Sequence, residues 1–306
     1  MGRPEISRSY TKHLGRVGSV RIYESPPAGV DELIDRLRGA STILPFFAGS
    51  PLTREVLQAV RPSLVVIAGP IGACVDQRAA WDIGARVYDT PGLSALAVAD
   101  YSFALLLALA HRIHEGAFSV RTGGWGAFVG RELTALKLGI VGLGRVGTRV
   151  AEMASVFGME VSAWSPRLDR GGATPEGVRG MSLRDLLSWS DAVSLHLRLS
   201  PQTKGIIGAS EIKLMSENAL LVNTARAALL DMAAIRAAVA AGRLGGVALD
   251  VHDVEPLPKA DILRCHPLVL CTPHMAWMTE QTIDRFVTAV ASFVEHESPI
   301  SIRQVV

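Results

Sequence analysis

The sequence predicts an α/β protein built on doubly wound parallel sheets, and three observations lead there. Short apolar runs alternate with polar helical windows along most of the chain, the pattern of parallel strands covered on both faces. The 306 residues suffice for about two domains. A composition that is 49% apolar and 20% charged supplies packed cores and carries no signature of disorder.

In the first hundred residues, 20–23, 43–47, 64–68 and 86–88 read as strands, and 31–38, 53–60 and 76–83 as the helices between them. A long apolar helix follows from about 96 to 113, with Ser94 placed to cap it. The glycine-rich stretch 122–126 reads as a boundary. A second series then offers strands at 138–141, 160–164, 192–197, 219–224, 246–250 and 269–272. Residues 145–157 and 231–241 read as helices, and a last helix covers about 280–296.

Composition also excludes. Thirty-one basic and 29 acidic residues leave a net charge of +2, with no dense basic tract, so nucleic acid is not an expected partner. The 95–110 stretch is interrupted by Asp100 and falls short of the roughly 20 residues a bilayer requires; a buried helix is expected, not a membrane partner. Cys74, Cys265 and Cys271 form no C-x-x-C pair, which argues against a disulfide framework or a thiolate zinc site. His111 and His114 share a helix face but lack a third ligand, so no metal is expected. The N-terminal segment has no apolar core. A soluble, cytoplasmic protein is expected.

The strongest chemical signal is Gly142-Leu143-Gly144-Arg145-Val146-Gly147. It follows an apolar run, opens a helical window and precedes a second apolar run, the context that gives G-x-G-x-x-G its meaning. Gly142 allows the tight turn, Gly144 admits a pyrophosphate and Gly147 lets helix and strand pack closely. Arg145 and Val146 begin the helix, whose free N–H groups and positive dipole end favour the anion. A dinucleotide cofactor, NAD(P), is therefore expected. At the end of the next strand, where an NAD site places an acidic residue, the chain has Ser165, with Arg167 two residues on. A hydroxyl and a guanidinium suit a 2′-phosphate, so NADP is favoured over NAD.

Three polar residues stand just past later strands: Arg226, Glu255 and His274. Ligands of open parallel sheets bind beyond the carboxyl ends of strands. An imidazole supported by a carboxylate can give or take the proton of a carbonyl or hydroxyl oxygen, and an arginine can clamp a substrate carboxylate. Trp277, three residues after His274, is placed to wall the pocket.

With these segments in view, the chain resembles the D-isomer-specific 2-hydroxyacid dehydrogenases, the group of glyoxylate/hydroxypyruvate reductases and phosphoglycerate dehydrogenases. The glycine loop, Asn223-Thr224-Ala225-Arg226, the 250–256 segment DVHDVEP and the 272–277 segment TPHMAW carry the likeness. The resemblance implies a Rossmann nucleotide-binding domain, 96–280, inserted into a flavodoxin-like substrate domain built from 1–95 and 281–306. It implies catalytic roles for Arg226, Glu255 and His274, cofactor contacts at Thr224 and Asp250, and substrate contacts at Ile71 and Gly72. It further implies hydride transfer between NAD(P)H and a small 2-ketoacid or D-2-hydroxyacid, and a homodimer. Ala227 stands where the family often has Gly, and Pro70 and Ile71 alter the substrate loop, so substrate identity does not carry over. A related alternative is a dinucleotide-sensing interaction protein like the C-terminal-binding-protein corepressors.

Overall fold

The computed structural model describes residues 14–15, 19–23, 25–45, 51–67, 69, 74–166, 168, 172–173, 177–296 and 303–304. The chain divides into two compact units, 1–94 with 278–306, and 95–277.

In the first unit, α1 (Val30–Leu37), β1 (Thr42–Ile43), α2 (Arg54–Val60), β2 (Leu64–Ile67), α3 (Gln77–Asp82) and β3 (Arg86–Asp89) alternate. The starts of α2 and α3 are set by short polar side chains. Thr53 accepts the Val56 amide, and Asp76 accepts the Ala79 amide at 2.8 Å, each satisfying an otherwise orphaned donor. The sheet runs β1-β2-β3 in parallel, with the Arg303–Gln304 strand antiparallel beside β3. Val56, Leu57, Val65, Ala79 and Val87 form its fully buried centre. The final helix, Glu280–His296, belongs to this unit and sets Phe293 against Tyr88 at 4.2 Å between ring centroids.

One expected strand is absent: 20–23 joins no ladder. Its side chains hold it instead, Arg21 donating to the Arg38 carbonyl at 2.7 Å and the Tyr23 hydroxyl to that of Arg36 at 3.1 Å. Val20, Ile22 and Tyr23 remain exposed, so apolar alternation here reflects a surface strap. Only the start of the expected 43–47 strand is seen, since 46–50 lie outside the described residues.

The second unit opens with α4 (Ala95–Ala110), which stops three residues before the expected end. Arg112 takes the left-handed conformation (φ 54°), and α5 (Ile113–Arg121) leaves at 70°. Among the described residues no single helix is long and apolar enough to cross a membrane. The glycine-rich 122–126 stretch lies inside this unit and marks no boundary. Then follow β4 (Lys137–Val141), α6 (Arg145–Val156), β5 (Glu160–Trp164), β6 (Gly172–Ala173), β7 (Arg179–Gly180), α7 (Leu183–Trp189) and β8 (Ala192–Leu195). After these come α8 (Ala209–Leu214), β9 (Leu220–Asn223), α9 (Met232–Ala240), β10 (Gly246–Leu249), α10 (Ile262–Cys265) and β11 (Val269–Cys271).

These strands build an eight-stranded sheet, β11-β10-β9-β8-β4-β5-β7-β6, parallel except for the β6–β7 pair. Successive side chains of a strand face opposite sides, and both sides are covered. Leu220 and Val222 join the core under α4 and α6, while Leu221 joins the core under α7 to α10. Each fully buried Leu, Ile or Val contributes on the order of 1.5–3 kcal/mol. The register aligns Trp164, Val141, Leu195, Asn223, Leu249 and Cys271 in one row across six strands. Because the strands are parallel, everything just after that row emerges at one carboxyl edge.

Candidate active site and dinucleotide loop

Gly142 follows the row by one residue on β4. Its φ is +105°, and a Cβ there would meet the backbone of His196 and Leu197 at 2.7 Å. A Cβ on Gly147 would lie 2.1 Å from the Gly142 carbonyl oxygen. Packing alone therefore demands glycine at both positions. Gly144 differs: its backbone is extended (φ −101°, ψ −165°) and a Cβ would meet nothing within 4 Å. The protein itself gives no reason for glycine there; close approach of a ligand backbone or phosphate does. Gly144 is also the N-cap of α6 and has no side chain to claim the first-turn amides, so those N–H groups suit an anion. The cradle thus fits a dinucleotide pyrophosphate.

Around this loop, Arg145 is exposed and Val146 half-buried, while Ser165 is half-buried one residue past the row on β5. Arg167, Ile71 and Gly72 lie outside the described residues. Burial pushes His196 down to about 3, so its imidazole is neutral; its Nε2 faces the Ser194 hydroxyl at 2.9 Å and its Nδ1 has no protein partner.

Arg226 and His274 each stand three residues beyond the row, in the loops after β9 and β11, with β10 between those strands. Two strand spacings are roughly 10 Å. Asn223 shapes the first turn, its Oδ1 accepting the Ala225 amide at 3.0 Å and its Nδ2 donating to the Arg226 carbonyl at 2.9 Å. Arg226 reaches the surface beside an open groove of about 990 Å³ bordered also by Lys204, Glu211, Asp231 and His252. Desolvation draws the guanidinium below the usual arginine range, and the Glu255 charge opposes this.

Glu255 Oε2 lies 2.9 Å from His274 Nδ1, and its Oε1 accepts the His252 amide at 3.0 Å. Burial alone raises the Glu255 carboxyl, but the His252 amide and the His274 ring outweigh it, and the net displacement is downward. An ionised carboxylate at Nδ1 fixes that nitrogen as the donor, which leaves Nε2 to exchange a proton with a ligand. His274 itself takes the left-handed conformation, φ 51°, a rare state for a non-glycine residue.

What holds that conformation was not legible in the motif. Asp250 is fully buried, and its carboxylate accepts the Thr272 hydroxyl at 2.6 Å, the Met275 amide at 2.9 Å and the Ala276 amide at 2.8 Å. The sequence offered Asp250 only as a cofactor contact; here it buckles the His274 loop to β10. Thr224 is likewise buried. The Ser102 hydroxyl donates to the Val98 carbonyl and accepts from Thr224, tying β9 to α4. Trp277 is half-buried. On the helix after α4, His114 Nε2 faces the Pro267 carbonyl at 3.0 Å.

A family model described as the D-isomer specific 2-hydroxyacid dehydrogenase NAD binding domain matches residues 103–276. A D-3-phosphoglycerate dehydrogenase of Methanocaldococcus jannaschii is 33% identical over 93% of this chain and 54% of its own length. A glyoxylate reductase of Aeropyrum pernix is 35% identical over 85% of this chain and 80% of its own. This chain thus spans about half the length of the first relative and most of the second. Among solved structures, a protein of Thermus thermophilus matches with TM-score 0.86 and 33% identity over 98% of this chain and 96% of that one. The sheet order, the glycine cradle and these matches define a nicotinamide dinucleotide-binding oxidoreductase fold. The chain belongs to the D-isomer specific 2-hydroxyacid dehydrogenase family.

Proposed function

We propose that this protein interconverts small 2-ketoacids and D-2-hydroxyacids, with Arg226, Glu255 and His274 as its catalytic residues. The Glu255–His274 pair, on the same sheet edge as the glycine cradle, carries the reading. Hydride transfer to or from substrate C2 is the chemistry that a nicotinamide dinucleotide supplies when bound. Arg226 clamps the substrate carboxylate through its planar fork. His274 Nε2 donates a proton to the ketone oxygen in reduction and takes it back in oxidation. Glu255 holds the ring in the orientation and tautomer that free Nε2 for this.

The first-turn amides of Arg145 and Val146, with Gly142, Gly144 and Gly147, hold the pyrophosphate. Thr224 and Asp250 would hold the nicotinamide end of the cofactor, and Trp277 would flank the substrate. The 95–277 unit is the dinucleotide domain, and the unit of 1–94 with 278–306 is the substrate domain. Ser165 at the position where NAD sites carry an acid, with Arg167 nearby in sequence, favours NADP.

A homodimer is supported by Phe118, Trp125 and Val129, which are 69%, 89% and 91% exposed along one segment of the second unit. A reducing, cytoplasmic setting accords with three cysteines that form no disulfide. The relatives named for glyoxylate and phosphoglycerate chemistry support the substrate class.

The test is a panel of 2-ketoacids, from glyoxylate and hydroxypyruvate to bulkier acids, offered with NADPH and with NADH. Loss of reduced-nicotinamide absorbance with at least one acid, faster with NADPH, is expected. No turnover with any acid, together with tight binding of a peptide motif, would instead place the protein with the corepressors.

A further inference from the structure

His252 lies between the buckle and the carboxylate of the site, and the mechanism above makes no use of its ring. It makes two contacts of different kinds. Its backbone amide donates to Glu255 Oε1 at 3.0 Å. Its ring Nε2 lies 3.0 Å from the Thr272 carbonyl oxygen. A carbonyl only accepts, so Nε2 bears the hydrogen. Nδ1 is buried with no partner.

The Thr272 carbonyl is a shared node. The His274 amide donates to the same oxygen at 3.0 Å, closing the tight turn that puts His274 at φ 51°. The oxygen that sets the strained turn of His274 is therefore pinned from the other side by the His252 ring. One residue thus grips Glu255 through its backbone and the His274 turn through its imidazole, joining the loop after β10 to the loop after β11.

We propose that His252 is a positioning residue, an imidazole clasp that sets the distance and orientation of the Glu255–His274 pair. This rests on the acid/base reading above. The Asp250 carboxylate holds this turn from one side and the His252 ring from the other; a strained turn shifts when one of its anchors is removed, and the ring it carries then moves relative to the carboxylate. A displacement of that kind lowers turnover, because proton transfer depends steeply on geometry.

Two measurements test it. First, long-range ¹H–¹⁵N spectra of histidine-labelled, cofactor-free protein report the tautomer of His252. The Nε2–H form is expected, with His274 ring signals displaced in His252→Phe; an Nδ1–H form, or unmoved His274 signals, overturns the clasp. Second, kinetics on the most reactive ketoacid separate positioning from general damage. His252→Phe should lower kcat about tenfold, with NAD(P)H affinity by fluorescence unchanged. His252→Gln, whose amide nitrogen stands the same number of bonds from Cβ as Nε2, should recover most of the loss. In a Glu255→Gln background, His252→Phe should cost little more, since the pair it positions is already broken. Wild-type kcat in His252→Phe, or full additivity with Glu255→Gln, overturns the proposal. If the wild-type protein reduces no ketoacid, the functional reading falls while the tautomer measurement still judges the clasp.

Discussion

The carboxylate of Asp250 accepts the amide of Ala276 at 2.8 Å, 26 residues along the chain. With the Met275 amide and the Thr272 hydroxyl on its other oxygen, the contact buckles the His274 loop to β10 from a fully buried position. Asp250→Asn keeps one acceptor oxygen and points an amide at a donor. A loss of roughly 2–3 kcal/mol is expected, as for removing hydrogen bonds to a buried charge. Chemical denaturation measures it; a change under about 0.5 kcal/mol contradicts the buckle, being no more than an ordinary surface substitution causes.

Gly147 and Gly144 of the loop should separate by variant. Gly147→Ala drives a methyl group to 2.1 Å from the Gly142 carbonyl oxygen and should destabilise the fold markedly. Gly144→Ala meets open space at an ordinary backbone conformation. It should melt like wild type yet bind NAD(P)H at least tenfold more weakly, about 1.4 kcal/mol. Calorimetric melting and cofactor fluorescence read the two effects independently. Equal cofactor affinity in Gly144→Ala contradicts the pyrophosphate assignment.

Glu255 gives a pH signature. Its carboxyl lies below the ordinary range in the folded protein. A lowered carboxylate adds stability that is complete above the unfolded value, about 4.3, and is lost as pH falls through the folded value. The stability gap between wild type and Glu255→Gln should thus be constant above about pH 5 and close on further acidification. Urea melts across pH 3–7 check this; a gap that widens toward acid has the wrong sign.

Trp125 tests the assembly. At 89% exposed, it has little role in folding its own chain. Trp125→Glu should leave the melting temperature of the unit unchanged and shift the sedimentation coefficient from dimer to monomer. A wild-type protein already monomeric at micromolar concentration rules out the homodimer.

Much of the fold was readable because its cause is local. Near-continuous apolar runs such as 220–223 and 246–249 mark strands buried on both faces, and glycine spacing marked the loop. The residues that failed to conform did so for tertiary reasons. The 20–23 run alternates like a strand but is strapped down by Arg21 and Tyr23 side chains. The long helix breaks at Arg112 because its backbone turns left-handed there, and no proline or glycine announces it. Short helices such as Ala209–Leu214 and Ile262–Cys265 span too few turns to show a period.

The site followed the same division. Arg226, Glu255 and His274 were legible as polar residues just past strands. The contacts that aim them were not, since the Asp250 buckle and the shared Thr272 carbonyl depend on strands β9 to β11 being adjacent and in register. Strand pairing is set by the folded sheet and leaves no mark in spacing along the chain.

The most direct measurement is the turnover of His274→Ala with NAD(P)H and the best ketoacid of the panel, beside Arg226→Lys. If His274 moves the proton, its alanine variant loses on the order of 10²–10⁴ in kcat while still binding cofactor, whereas Arg226→Lys chiefly raises the substrate KM. Near-wild-type turnover in His274→Ala contradicts the assignment.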